Sequence, residues 1–244
     1  MKSNKLVRFW WKDSIKGITV LYTFIVLSIV TVLLIGALSE DSHILFSGTE
    51  TTSIIYLLIS GIVSYRTLFH ICLQNGISRK TMFQSYLIFS LLLSGGMALI
   101  ERIIYSLLYG NKLYVSMFDQ IYDGLKYDSF LLLMLTQMFW YFSMFFFSCM
   151  FGYFISALFY HLDRVKRLYV FLGVPVTIVV LIPLFDYFVT KGRITNITVR
   201  MLKVMFGVNQ GFRPYNLVIT CILAALIFAI LGRLISRRCV LRKA

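Results

Sequence analysis

The uncharged stretch FLLLMLTQMFWYFSMFFFSCMFGYFISALFY, residues 130–160, decides the fold of this chain. At about 1.5 Å per residue, a helix of this length is longer than the ~30 Å hydrocarbon core of a bilayer. The stretch is continuously apolar, whereas a strand of a transmembrane barrel would alternate over about ten residues. It therefore predicts a membrane-spanning helix that tilts or projects beyond the bilayer.

Small residues recur every four positions in the second half of this stretch, at Ser148, Gly152 and Ser156. Small side chains at this spacing allow two helix backbones to approach closely. The pattern predicts a packing face, and two alternatives are open for it. It is either a seam within the chain or the face of a dimer.

The whole chain has the composition of a membrane protein. Of its 244 residues, 59% are hydrophobic and 14% are charged, against about 25% charged in a soluble domain. Backbone polar groups must be paired internally in lipid, so the apolar runs are predicted to be helices. We expect one all-α transmembrane domain over residues 1–244 with six spans. The predicted spans are 18–38, 54–73, 84–109, 130–160, 168–190 and 215–235.

Residues 1–17 interleave lysines and an arginine with tryptophan, phenylalanine and aliphatic side chains. This mixture predicts a helix that lies in the membrane interface. The alternative is a basic flank that only orients the first span. The apolar run over 18–38 is longer than the about 7–15 apolar residues of a signal peptide, so we expect a span that is retained.

Basic residues concentrate in some connecting segments and are missing from others. The 39–53 segment is acidic and has no lysine or arginine, whereas 75–81, 161–167 and the tail from Arg233 are basic. Since cytoplasmic loops carry an excess of Lys and Arg, six spans place both termini in the cytoplasm of a multi-pass cell-membrane protein. The net charge of +14 is thus assigned to span flanks and membrane lipid, not to nucleic acid.

Residues 191–213 conflict with this topology. They are strongly basic on what should be the outer face, and their semi-apolar middle, 197–208, is too short and too charged to span. We predict a re-entrant or interfacial outer segment between spans five and six. The alternative is a miscounted earlier span. Inside the fifth span, Pro175 and Pro183 predict kinks.

Adjacent opposite charges, Glu101 and Arg102, lie inside the third predicted span. Ionisable residues within a span usually face the protein interior or water. Neighbouring residues of a helix point about 100° apart, so each charge is expected to need its own partner. Two alternatives are open: the pair lines a translocation path, or each residue pairs between helices near the outer interface.

Motifs for catalysis are missing from the sequence. It has no GxxxxGK[ST] phosphate-binding loop, no HExxH pattern and no nucleophile elbow. The cysteines lack the paired spacing of a disulfide framework or a zinc site; they are Cys72, Cys149, Cys221 and Cys239. We therefore predict no catalytic residue, no metal site and no cofactor in this chain.

The most compact polar break lies between the second and third predicted spans. It reads Asn75-Gly76-Ile77-Ser78-Arg79-Lys80-Thr81-Met82-Phe83. Asn-Gly is a turn dipeptide, and the serine is a candidate helix N-cap. Together with the basic N-terminal segment and the polar segment before the last span, this break resembles the small membrane-spanning (permease) subunits of type-two ABC exporters of Gram-positive bacteria.

The resemblance implies a role for each of these segments. Residues 75–83 would be the coupling helix, seated in a cleft of a separate ATPase subunit, with Arg79 and Lys80 contacting acidic groups there. Residues 1–16 would be the elbow helix, and 191–213 the re-entrant outer element. Two ATPase copies would carry ATP and Mg, and two membrane subunits, alike or homologous, would form the transporter.

The spans are rich in aromatic residues and poor in fixed charge. The resemblance implies export, and for such a transporter this composition favours an amphipathic or hydrophobic substrate, namely a peptide such as a toxin or antimicrobial peptide, or a lipid. A second hypothesis is a stand-alone integral membrane enzyme, or an immunity or scaffold protein. The two hypotheses differ in whether an ABC-type ATPase associates with the chain.

Overall fold

The computed structural model describes residues 2–38, 47–108, 114–123, 125, 129–208 and 213–238. Most of the predicted acidic loop and the end of the basic tail lie outside the described residues. Within them the chain is all-helical. The α-helices are α1 (Lys2–Leu38), α2 (Thr49–Gln74), α3 (Arg79–Leu108), α4 (Met117–Ile121), α5 (Phe130–His161), α6 (Arg164–Val176), α7 (Ile182–Phe185), α8 (Arg193–Met205) and α9 (Pro214–Arg238).

α5 forms the centre of a helix bundle. α2 and α9 make the most extensive contacts with α5, followed by α3, while α1 packs on α3. α2, α5 and α9 run in one direction, and α1 and α3 run in the other. The bundle therefore has two ends: we call them the Glu50 end, where α2 begins, and the Arg79 end, where α3 begins.

Two glycines bring the backbones of α2 and α5 into contact. A Cβ atom on Gly152 would lie 2.3 Å from the carbonyl oxygen of Leu58, and one on Gly61 would lie 2.5 Å from that of Cys149. Any larger side chain at either position would push the helices apart. Gly152 of the small-residue pattern thus packs within the chain. Ser148 and Ser156 are also buried.

Aromatic side chains fill the space between α3 and α5 toward the Arg79 end. The rings of Tyr86 and Tyr153 stack with centroids 4.4 Å apart. The Tyr86 hydroxyl donates to the carbonyl oxygen of Cys149, at 3.2 Å. This bond satisfies a polar tip that would otherwise be costly to bury.

α1 packs its N-terminal half against α3. Trp10 is buried, with ring centroids 5.5 Å from Tyr86 and 5.3 Å from Phe89. α1 runs as one helix through the junction predicted at residue 17. α1 therefore includes residues 2–17 without a break, and the interfacial position of this segment stays a prediction.

Residues 164–205 make few contacts with the bundle, and we call them the arm. The arm comprises α6, α7 and α8 and two π-helical turns, Thr177–Leu181 and Asp186–Thr190. Each π-helical turn follows one of the two prolines, which lack the N–H of a regular ladder. These turns are where the sequence predicted kinks. Almost the whole arm is exposed.

Asp186 is the buried exception in the arm. Its carboxylate accepts backbone hydrogen bonds from Ile194 at 2.8 Å and from Thr195 at 2.9 Å. These are donors of the first turn of α8, which a helix leaves unpaired. Lys191 and Gly192 adopt left-handed φ angles of 49° and 83°, which end the preceding helix before α8 begins. Asp186 thereby links the first turn of α8 to the π-helical turn Asp186–Thr190 that precedes it.

Five of the described helices are long and apolar enough to cross a membrane. They correspond to the first, third, fourth, fifth and sixth predicted spans, and are Leu6–Gly36, Arg79–Leu108, Phe130–His161, Val165–Thr190 and Pro214–Arg237. The second predicted span, 54–73, lies in α2, which is not among the five. The six-span topology is therefore not confirmed: within the described residues, five helices are long and apolar enough to be candidate spans.

The structure also does not confirm re-entry of residues 191–213. The described part of this segment forms α8, none of whose residues is buried. Its basic side chains, Arg193, Arg200 and Lys203, recur at helical spacing along one face. α8 is thus an amphipathic helix on the surface of the molecule. Residues 209–212 lie outside the described part.

Candidate functional site

Two regions combine the predicted site residues with polar chemistry. One is the α2–α3 turn, residues 75–83, at the Arg79 end. The other is a buried group around Glu50 and Glu101 at the opposite end, which we call the carboxylate cluster. Its members come from α1, α2, α3, α5 and the segment before α4; they are Tyr22, Thr49, Glu50, Ser53, Glu101, Tyr114 and Tyr141.

The α2–α3 turn is short and well defined. The backbone N–H of Ile77 donates to the carbonyl oxygen of Cys72 at 2.8 Å. Gly76 has a φ of 62°, in the left-handed region that favours glycine. The Ser78 hydroxyl accepts from the backbone N–H of Thr81 at 3.2 Å, which is the N-cap bond that the sequence predicted.

The side chains after the cap divide between surface and core. Ser78 and Lys80 are exposed, whereas Met82 and Phe83 are buried in the bundle. Arg79 donates to the carbonyl oxygen of Arg237 near the end of α9. The turn therefore presents polar atoms outward and is anchored inward by two apolar side chains.

α3 begins directly at Arg79 and continues to Leu108. The turn thus carries no separate short helix, and the predicted coupling helix is here a cap followed by the first turn of α3. Arg233 lies over the Phe83 ring, with its guanidinium carbon 5.7 Å from the centroid. Together with Lys80 and Arg79, it makes this end of the bundle basic.

Glu101 is the central acid of the carboxylate cluster and is 1% exposed. Its Oε1 accepts hydrogen bonds from the Ser53 hydroxyl at 2.5 Å and from the Tyr22 hydroxyl at 3.3 Å. Its Oε2 has no hydrogen-bond partner among the described residues. One of the two oxygen atoms of this buried carboxyl group therefore lacks a hydrogen bond within the described residues.

Glu50 is as buried as Glu101, but both of its carboxyl oxygens have polar partners. Its Oε1 accepts from the hydroxyls of Tyr114 and Tyr141, both at 3.1 Å, and from the backbone N–H of Met117 at 3.3 Å. Its Oε2 lies 3.3 Å from the Thr49 hydroxyl. Oε1 of Glu50 therefore has three hydrogen-bond donors, and its Oε2 also has a partner.

Tyr114 lies outside the helices and closes the cluster. It joins Glu50 to Thr49, whose hydroxyl is 2.9 Å from the Tyr114 hydroxyl. Burial and the nearby negative charge of Glu50 raise the pKa of Tyr114 well above its usual range. Its hydroxyl therefore keeps its proton and acts as a donor to Glu50.

Arg102 turns away from this cluster, although it follows Glu101 directly in the chain. It donates to the side-chain oxygen of Gln137 on α5, whose amide in turn donates to Asp119 at 3.3 Å. Its guanidinium carbon also lies 4.6 Å from the Tyr105 ring centroid. As the sequence predicted, the two charges have separate partners; a translocation path lined by them stays a prediction.

Sequence reasoning missed most of the cluster. Glu50 was assigned to an acidic outer loop, but it lies in the first turn of α2 and is buried. The sequence predicts a solvated loop or a short surface helix over 110–129, but in the described part of this segment Phe118 and Tyr122 pack against Trp140. The four-residue spacing of these two aromatic residues was the available signal for a buried face.

Within the described residues, no group of three or more His, Cys, Asp or Glu side chains could hold a metal ion. Two carboxyl groups surrounded by hydroxyls can bind a proton and exchange it between oxygen atoms. The basic turn at the other end can bind acidic groups. Comparison with known protein families, curated proteins and solved structures finds no match to this chain.

Proposed function

We propose that this chain is the membrane permease subunit of a type-two ABC exporter, driven by a separate ATPase that binds the α2–α3 turn. The observation that carries the proposal is the form of this turn. It is capped by Ser78, exposes Lys80, and is fixed to the core by Met82 and Phe83. A rigidly anchored basic turn suits transfer of force from an acidic partner surface.

α3 provides a direct route for such a force. It spans Arg79–Leu108 without interruption, which corresponds to about 45 Å at 1.5 Å per residue. A displacement at Arg79 would therefore move Glu101, near the other end of the same helix. α3 also contacts α1, α2 and α5, so the movement would reach most of the bundle.

The proposal assigns the remaining parts to other chains. Two ATPase copies supply ATP and Mg, and a second membrane subunit, identical or homologous, completes the translocation path. The substrate is amphipathic or hydrophobic, a peptide such as a toxin or antimicrobial peptide, or a lipid. The large exposed apolar surface of the arm, including Tyr187 and Phe188, supports transport within a lipid environment.

Reversing the charge of Lys80 tests the proposal. The variant Lys80→Glu changes an exposed side chain that makes no hydrogen bond or ion pair among the described residues, so the fold should be preserved. We expect the tagged wild-type chain to co-purify from native membranes with an ATPase that has a phosphate-binding loop and an ABC signature. The variant should recover at least about tenfold less of it, a loss of ~1.4 kcal/mol in binding.

The matched control is Lys203→Glu, the same change on an exposed position of α8. It should leave ATPase recovery unchanged. Equal recovery with Lys80→Glu and wild type would overturn the assignment of the turn. Recovery of no ABC-type ATPase with the wild-type chain would overturn the permease proposal and leave the stand-alone enzyme, immunity or scaffold hypothesis.

A further inference from the structure

The two carboxyl groups of the cluster differ in how they are satisfied. Glu50 receives three definite donors on Oε1, whereas Glu101 has the Ser53 hydroxyl, a shared Tyr22 hydroxyl and an unpartnered Oε2. The Tyr22 hydrogen is shared because the carbonyl oxygen of Met97 lies 3.5 Å from the same hydroxyl. Glu101 is therefore the group less suited to carry a negative charge.

A negative charge on both groups would be costly. Glu50 and Glu101 are each 1% exposed, and they are close enough to repel one another. Neither forms an ion pair within the described residues. Isolated buried charges are so unfavourable that a carboxyl group in this position takes up a proton instead.

The other groups that face Glu101 leave this conclusion unchanged. Tyr22 on α1 and Tyr114 before α4 are neutral phenols at neutral pH, and Thr49 and Ser53 on α2 do not titrate. The Thr49 hydroxyl also interacts with Glu101, but it donates to Oε2 of Glu50 at 3.3 Å, and its oxygen lies 2.9 Å from the Tyr114 hydroxyl. The nearest cation along the chain, Arg102, is directed to Gln137 instead.

We propose that the carboxylate cluster is a proton-binding site inside the bundle, with the proton on Oε2 of Glu101 and the negative charge on Glu50. The proton comes from water and forms an O–H bond on Glu101, so no other reactant is needed. Loss of this proton would place two buried negative charges between α2 and α3. The site therefore links protonation to the spacing of these helices. This inference does not depend on an ATPase partner.

Infrared difference spectroscopy of the purified full-length chain in lipid nanodiscs tests the proposal. A protonated carboxyl group gives a carbonyl band that an ionised one lacks. We expect this band at neutral pH, shifted by exchange into heavy water, in the wild type and in Asp13→Asn, which removes an exposed acid of α1. Glu101→Gln should abolish the band.

Two further variants keep Glu101 and distinguish the site from a folding defect. Glu50→Gln removes the repelling charge, so the pH at which the band disappears should fall by about one unit or more. Ser53→Ala removes a donor that stabilises the ionised form, so this pH should rise by a similar amount. Solvent entry into a misfolded bundle would lower the pH at which the band disappears in both variants.

Two results would overturn the proposal: absence of the band in the wild type at neutral pH, and survival of the band in Glu101→Gln. If the band is absent and the melting temperature of the wild type rises with NaCl but not with KCl at constant ionic strength, the ligand of the cluster is an alkali cation.

Discussion

The central helix of the bundle, α5, and the arm are both strongly apolar but differ sharply in burial. More than half of the residues in the most apolar 18-residue part of α5 are buried, whereas none are buried in the corresponding 18-residue part of Val165–Thr190. The part in the arm is the more hydrophobic of the two. Hydrophobicity therefore does not decide which helix lies inside, because lipid tails are as apolar as a protein core.

The features that distinguish the bundle are close backbone contacts and polar bonds between helices. Gly61 and Gly152 let α2 approach α5, and Tyr86 joins α3 to the backbone of α5. In the arm, the polar link between successive segments is the one from Asp186 to α8. Helix association in membranes relies on packing and hydrogen bonds of this kind.

Filling the glycine seam should have the largest effect. Gly152→Leu places a side chain where even a Cβ would lie 2.3 Å from the carbonyl oxygen of Leu58. Because the obstacle is backbone, α2 and α5 must separate, and we expect no folded bundle. Size-exclusion chromatography and far-UV circular dichroism in detergent measure this outcome.

Gly95→Ala is the control for the glycine variant. Gly95 also lies inside a helix, but a Cβ there meets no atom within 4 Å. Alanine should therefore be neutral or stabilise α3 by up to about 1 kcal/mol, the usual difference in helix propensity. If Gly152→Leu folds as well as Gly95→Ala, then close backbone approach is not what separates the bundle from the arm.

Truncating a buried leucine of the bundle should lower stability by an intermediate amount, whereas truncating an exposed leucine of the arm should hardly change it. Leu93 on α3 is 1% exposed, and Leu172 on α6 is 55% exposed. Leu93→Ala leaves a cavity and should lower the free energy of unfolding by about 2 kcal/mol, near the low end for buried leucines. Leu172→Ala should change it by less than about 0.5 kcal/mol.

Reversible unfolding in mixed detergent micelles measures both leucine variants under the same conditions. Equal losses would show that the arm packs against something that the isolated chain does not contain. That outcome would remove the contrast in burial, because Leu172 would then be a buried residue of the complete assembly.

The helical membrane architecture follows from the sequence because its runs are long, continuous and bounded by charge. The arrangement inside it depends on contacts that no local pattern reveals. Tyr141 and Glu50 are 91 positions apart and form a hydrogen bond. Tyr22 and Glu101 are 79 positions apart. Sequence analysis identified Glu101 as an unusual intramembrane acid, but it could not identify the second carboxyl group beside it.

Local signals were more reliable at the α2–α3 turn. Asn75, Gly76 and Ser78 predict a turn and a cap from their own backbone preferences, and both are present. The continuous α1 was missed for the opposite reason. Its basic and aromatic residues suggested an interface, whereas Leu6 and Trp10, four residues apart, form a buried stripe against the bundle.

The smallest expected effect is confined to the arm. Asp186→Ala removes the carboxylate that accepts hydrogen bonds from the first turn of α8, and Asp186→Asn keeps one acceptor oxygen. We expect faster amide hydrogen exchange in Arg193–Met205 for the alanine variant and an intermediate rate for asparagine, because unpaired N–H groups fray first. Exchange in α5 should stay unchanged, since α8 makes few contacts with the bundle. Faster exchange in α5 would instead mean that the link between Asp186 and α8 stabilises the bundle. The arm and the bundle would then unfold as one unit.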